Sequence, residues 1–140
     1  MNVYMEHINL HVVNVDALAG FIQTAFPGFR VRHDSGAADP QRWLHVGDNT
    51  TYLAIYQATS PAAQPWQPYS GRPGLNHIGF VVDDVASLRQ RMLDAGYQET
   101  TVPNEHPARK RVYFNDPDGN DWEFIEYATA DMSLRNDYSL

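Results

Sequence analysis

His7-Ile8-Asn9-Leu10-His11-Val12 and His77-Ile78-Gly79-Phe80-Val81-Val82 stand 70 positions apart and follow one pattern. The first leads to Val15 and Leu18, the second to Val85 and Leu88. Each copy reads as a strand headed by a histidine and followed by a helix. An internal period of this kind decides the architecture before any single element does. In the first copy Ile8, Leu10 and Val12 share one face of the strand, and His7, Asn9 and His11 share the other. Mutual burial of two apolar faces explains the first set. It does not explain a histidine at the head of each strand on the opposite face. Two imidazoles at matching positions suggest two ligands brought to one centre.

Working outward, Asn14 to Asp16 forms a turn with helix-capping side chains, and residues 17–26 read as a helix burying Leu18, Phe21, Ile22 and Ala25. Pro27-Gly28 stops it. Residues 29–33, 42–46 and 50–57 read as strands, the last two joined by Gly47-Asp48-Asn49 in a hairpin. Residues 58–73 hold four prolines and read as an extended loop. The second copy begins with a strand over 75–82. Asp83 and Asp84 can cap a helix over 85–95, which buries Val85, Leu88 and Met92 and stops at Gly96. Strands over 97–102, 110–114 and 121–127 complete it, with Asp116-Pro117-Asp118-Gly119 turning between the last two. Each half is β-α-β-β-β. The boundaries expected are a first module over about 5–58, a linker over 59–73, a second module over about 74–128 and a tail over 129–140. The tail has little apolar periodicity and reads as a mobile end or a short docking segment.

The 140 residues suit one domain with a sizeable core. There are no cysteines, which excludes disulfides, cysteine-ligated zinc, iron–sulfur clusters and thiol nucleophiles, and fits a reducing cytoplasm. The start carries no signal-peptide pattern, and no apolar run approaches a membrane span. The net charge of −7 argues against a nucleic-acid binder.

In the last strand Trp122 and Phe124 share a face, and Asp121, Glu123 and Ile125 share the other. With Trp122 and Phe124 packed on the helices, Glu123 looks the same way as His7 and His77. Two imidazoles and a carboxylate form a set that binds divalent iron, manganese, nickel or zinc and leaves positions open for substrate. Asn9 and His11 continue the His7 face, His11 as a second base or as a polar wall. Trp43 and His45 alternate with Leu44 and Val46, and Tyr52, Ala54 and Tyr56 alternate with Leu53 and Ile55. Such aromatics are either ordinary core or the wall of a site for a flat substrate. Arg109, Lys110 and Arg111 either steer an anionic substrate or lie on a solvated strand edge. His33 reads as a surface residue.

These motifs, with Gly28-Phe29-Arg30-Val31 and Val112-Tyr113-Phe114-Asn115-Asp116-Pro117-Asp118-Gly119-Asn120-Asp121-Trp122-Glu123, resemble the vicinal oxygen chelate superfamily over residues 5–127. That group includes glyoxalase I, extradiol dioxygenases, methylmalonyl-CoA epimerase and the fosfomycin and bleomycin resistance proteins. The resemblance implies an α+β fold of two tandem βαβββ modules forming a cupped mixed sheet with helices on its convex side. It implies His7, His77 and Glu123 as metal ligands. Glyoxalase I and the epimerase carry a fourth ligand on the last strand of the first module. Here Leu53 or Ala54 takes that position, and neither binds metal.

Three ligands without a fourth is the extradiol arrangement. Asn104-Glu105-His106, then Val112-Tyr113, Asp116-Pro117, Gly119 and Glu123 also fit the extradiol signature. By that resemblance His106 and Tyr113 flank the substrate as catalytic groups; the strand faces and the basic run add Asn9, His11, Trp43, His45, Tyr56 and Arg111 as candidate substrate contacts. The resulting expectation is a cytoplasmic enzyme acting on a small molecule with one divalent metal. Fe(II) comes first, with Mn, Ni or Zn as alternatives, and the reaction is ring cleavage of a catechol-like substrate. A glyoxalase-like lyase or isomerase and a non-catalytic binding protein are the rivals. The superfamily resemblance also implies a homodimer, with the site built within one chain or shared between two.

Overall fold

The computed structural model describes residues 3–60, 67–103, 105–137 and 139. It divides into two compact units, Met1–Pro65 and Trp66–Leu140, each with its own sheet. Residues 61–66 of the expected linker, Asn104 of the signature and tail residues 138 and 140 lie outside the described residues.

The first unit runs β1 (His7–Val12), α1 (Val15–Ala25), β2 (Arg30–Asp34), β3 (Trp43–Gly47) and β4 (Tyr52–Gln57). The sheet order is β1-β4-β3-β2, with β1 parallel to β4 and the other pairs antiparallel. Asn14 caps α1 by accepting the N–H groups of Asp16 and Ala17, both at 3.0 Å, and so satisfies two of the donors a helix start leaves free. The apolar stripe Val15, Leu18, Phe21, Ile22 and Ala25 is buried, and α1 packs on β3 and β4. Leu44, Val46, Leu53 and Ile55 complete that core. Gly47 has no room for a side chain, since a Cβ would fall 2.2 Å from the Thr51 carbonyl oxygen.

The second unit runs β5 (His77–Val81), α2 (Val85–Asp94), β6 (Arg109–Asn115), β7 (Asp121–Tyr127) and α3 (Met132–Arg135). Its sheet order is β5-β7-β6, with β5 parallel and β6 antiparallel to β7. Asp84, not Asp83, caps α2 by accepting the Ser87 N–H at 2.9 Å. Gly96, at φ +83°, ends it, with the Gly96 and Tyr97 N–H groups returning to the carbonyls of Leu93 and Met92. Leu88, Met92, Val112, Phe114, Trp122 and Phe124 form the core beneath α2. Fully burying side chains of this size contributes about 1.5–3 kcal/mol each.

Two expectations change, and the structure chooses between the two readings of the tail. The strand expected over 97–102 is reduced to one bridge, Glu99 to Phe114. The Tyr113 N–H, which would continue that ladder, donates instead to the Thr101 hydroxyl at 2.9 Å. Pro103 has no N–H to extend it. β5 starts at His77 rather than at Leu75. The tail is docked rather than loose over its described part. Arg109 Nη1 donates to the Arg135 carbonyl and to Asn136 Oδ1, each at 3.2 Å, and the Arg135 guanidinium lies 4.7 Å over the Tyr127 ring. No helix among the described residues is long and apolar enough to cross a membrane.

Candidate metal centre

β5, β7 and β6 place His77, Glu123 and Tyr113 on one face of the second sheet. The register pairs Gly79 with Glu123 and Tyr113 with Glu123, so these side chains share a side. The opposite side carries the buried Ile78, Phe114, Trp122 and Phe124. Glu123 is 8% exposed, low for a carboxylate. Its Oε1 accepts from the Tyr113 hydroxyl at 2.5 Å, with Arg111 Nη1 at 3.5 Å. Its Oε2 lies 3.3 Å from His77 Nε2. A Cβ at residue 79 would come 3.6 Å from that oxygen, so glycine leaves the space before it open.

The His77 ring is held from its other nitrogen. Nδ1 lies 2.8 Å from Asn76 Oδ1, the pairing in which Nδ1–H donates and Nε2 is left to face Glu123. The first unit repeats the device. His7 Nδ1 lies 3.0 Å from Glu6 Oε2, and its ring stacks on Tyr52 with centroids 4.8 Å apart. Metal-binding imidazoles characteristically give their second N–H to such an acceptor, which fixes the tautomer and the ring plane. His77 Nε2 faces a Glu123 carboxylate oxygen at 3.3 Å, and an imidazole nitrogen beside a carboxylate oxygen is a donor pair that divalent cations take. The donor set therefore fits a divalent cation. Among the described residues, no group of three or more His, Cys, Asp or Glu side chains is placed to hold a metal. The second unit brings together two of the three expected ligands, and His7 lies in the first.

A cavity of about 530 Å³ lies in the second unit, lined by Tyr113, which bonds Glu123, though not by His77 or Glu123 themselves. That size suits a small ligand. Arg111, Tyr113, Asn115 and Asp121 supply its polar lining from the strands. Pro68, Tyr69, Val102 and Pro103 supply its apolar side. Burial, and next the bond to Glu123, push the Tyr113 hydroxyl well above its ordinary range, so it stays a proton donor to that carboxylate. Tyr69, 64% exposed as a whole, is also raised, to about 12, by partial desolvation and next by its bond to Asp121.

The first sheet carries an aromatic face. Register puts His7, Asn9 and His11 beside Tyr52, Ala54 and Tyr56, and those beside His45 and Trp43. His11 stacks on Tyr56 at 5.7 Å, and Trp43 stacks on Tyr56 at 5.7 Å and meets His45 at 4.8 Å. An irregularity between Val31 and His33 lets Arg32 and His33 project to the same side. Arg32 lies over Tyr52 and His33 stacks on Trp43 at 4.4 Å. His33, expected as an ordinary surface residue, is exposed but belongs to this face. Burial first, and then the positive charge of Arg32, lower the pKa of His45 and favour a neutral ring.

The two registers also resolve which residue matches Glu123. His7 pairs with Tyr52 and His77 with Asp121, so Asn9–Ala54 corresponds to Gly79–Glu123. Ala54, not Leu53, occupies the matching position, and its methyl group offers no ligand. His106 falls elsewhere. Its Nδ1 accepts the Ala108 N–H and its Nε2 lies 3.1 Å from the Asp137 carbonyl, so both nitrogens are engaged by backbone. It does not line the cavity. Sequence reasoning missed Glu6, Asn76, Tyr69 and Asp121. For the first two a signal existed, an acceptor immediately before each repeated histidine.

Comparison with known proteins agrees with this architecture. The family model described as Glyoxalase/Bleomycin resistance protein/Dioxygenase superfamily matches residues 4–124. Similar solved structures include a glyoxylase/bleomycin resistance protein/dioxygenase domain from Frankia sp. EAN1pec. It is 19% identical with TM-score 0.72, over 91% of this chain and 99% of that one. The fosfomycin resistance protein FosX from Listeria monocytogenes, solved with Mn(II) and sulfate, is 19% identical with TM-score 0.68, over 96% and 98%. FosX from Mesorhizobium loti is 20% identical with TM-score 0.63, over 89% and 91%. No curated protein matches the sequence. With the family model spanning most of its length and the paired modules seen in its sheets, the chain belongs to the glyoxalase/bleomycin resistance protein/dioxygenase group, the vicinal oxygen chelate superfamily.

Proposed function

We propose that the protein is a divalent-metal-dependent enzyme acting on a small oxyanionic substrate, with His7, His77 and Glu123 as the metal ligands. The observation that carries this reading is the His77–Glu123 pair. Its inner atoms face each other at 3.3 Å, while Asn76 and Tyr113 fix its outer atoms. His7 is assigned by the repeat and by the matching Glu6 contact. A divalent cation held there supplies positive charge to the oxygens of a chelating substrate. Ala54, at the position matching Glu123, offers no fourth ligand. Arg111 holds an anionic group, Tyr113 keeps Glu123 oriented, and the apolar side of the cavity excludes water from the substrate body.

The first reaction class we infer is non-redox chemistry at a polarised substrate oxygen. Mn(II), Ni(II) and Zn(II) serve this class as well as Fe(II). The FosX structure solved with Mn(II) and sulfate favours it by analogy. Extradiol ring cleavage is the second reading. The sequence signature through Tyr113 and Glu123 favours it, and the engagement of both His106 nitrogens weighs against it.

The test combines two assays. Mn(II)-loaded protein is titrated with phosphonoacetate and fosfomycin, and Fe(II)-loaded protein is assayed in air with a catechol panel. The first reading expects anion binding that Arg111→Ala weakens at least tenfold. Oxygen uptake with a ring-fission chromophore would replace it with the second. We also propose a homodimer. Mixing His7→Ala with Glu123→Gln protein restores part of the metal binding if two chains share the site.

A further inference from the structure

Two segments outside the strands meet on one buried carboxylate. Asp121, at the head of β7, is 4% exposed. The Tyr69 hydroxyl donates to its Oδ2 at 2.8 Å, and the Thr100 hydroxyl donates to its Oδ1 at 2.7 Å. Tyr69 belongs to the stretch that leads into β5, and Thr100 to the stretch between α2 and β6. Both stretches line the cavity, through Pro68 and Tyr69 on one hand and Thr100, Val102 and Pro103 on the other.

Tyr69 is also the one non-glycine at positive φ among the described residues, at 60°. That conformation costs a tyrosine about 1–2 kcal/mol, so other contacts hold it there. The ring lies along the His77 imidazole, with centroids 6.1 Å apart and planes 24° from parallel. This spacing is within the range of a favourable ring contact. One side chain thus joins the cavity wall, a buried carboxylate and a candidate ligand.

We propose that Tyr69 is a positioning residue with two separable parts. Its hydroxyl, together with that of Thr100, clasps the two cavity-lining segments onto Asp121. Its ring sets the plane of the His77 imidazole. The clasp stands on its own geometry, while the part played by the ring rests on the metal reading above.

Separate variants address the two parts. Tyr69→Phe keeps the ring and removes the hydroxyl; Tyr69→Leu removes both; Thr100→Val releases the clasp from its other side. Hydrogen exchange of residues 67–76 is followed by mass spectrometry in metal-free protein, and Mn(II) affinity is measured by calorimetry. Tyr69→Phe and Thr100→Val are expected to accelerate exchange across 67–76 at least tenfold, with Mn(II) affinity within twofold of wild type. Tyr69→Leu is expected to accelerate exchange equally and to weaken Mn(II) about tenfold or more, the usual scale for a neighbour that orients a ligand.

Wild-type exchange over 67–76 in Tyr69→Phe overturns the clasp. Wild-type Mn(II) affinity in Tyr69→Leu, where His77→Ala abolishes binding, overturns the role of the ring. If His77→Ala binds Mn(II) like wild type, the metal reading and the role of the ring fall together, and exchange still decides the clasp.

Discussion

Asp116 is buried in the turn before β7 and accepts four N–H groups, from the Asp118 and Asn120 backbone, the Asn120 amide and the Trp122 indole. Burial pushes its pKa up, against the pull of those bonds. Gly119, at φ +84°, closes the turn. Asp116→Ala removes the shared acceptor of these four N–H groups, one of them from the fully buried Trp122, so it is expected to cost about 1–3 kcal/mol in urea denaturation. The turn was legible from Asp-Pro-Asp-Gly, but the Trp122 bond was not, because it depends on how the turn folds over the strand. Tyr113 shows the same limit more sharply. The sequence marked it as a group facing substrate, and it does line the cavity. Its hydroxyl, however, is already given to Glu123 because register sets the two opposite each other. Tyr113→Phe is therefore expected to weaken Mn(II) binding about 10–100-fold by calorimetry with the fold unchanged by circular dichroism. An unchanged affinity would mean that the bond does not orient Glu123.

At the scale of elements, periodicity located α1, α2 and most strands, since each of these helices has one apolar face and a capping residue, but it did not show α3. It failed for the strand expected over 97–102, where a threonine hydroxyl takes the N–H that a neighbouring backbone would have taken. Nor did it show how α1 is tied to the sheet edge. Arg42 bridges Asp16 on α1 and Asp34 on β2, both at 2.7 Å. The Arg42 hydrogen bond, and next the Gly36 N–H, lower Asp34 from 3.8 to about 2. A carboxylate depressed in the folded state stabilises fully above its unfolded value and loses that contribution as pH falls towards its folded value. The thermal midpoint of wild type is thus expected to exceed that of Asp34→Asn at pH 6, and the gap to close as the pH approaches about 2. A gap that persists at the acid end would assign the difference to something other than the Asp34 charge.

For the whole molecule, the repeat made the architecture readable. Two histidines at one period announced paired modules, and each sheet begins its parallel pair at such a histidine. The repeat could not say where the halves differ in chemistry. That required the register, which sets Ala54 against Glu123 and puts an aromatic face on one sheet and a carboxylate centre on the other. The aromatic face escaped a firm sequence reading because alternation alone does not tell core aromatics from a ligand wall. We propose that one divalent cation is held through His7, His77 and Glu123. Calorimetric titration of chelator-treated protein with Mn(II) tests it directly. One ion per chain is expected for wild type, with loss of binding in each of His7→Ala, His77→Ala and Glu123→Gln. Wild type that takes up no ion, or three variants that bind like wild type, would contradict it.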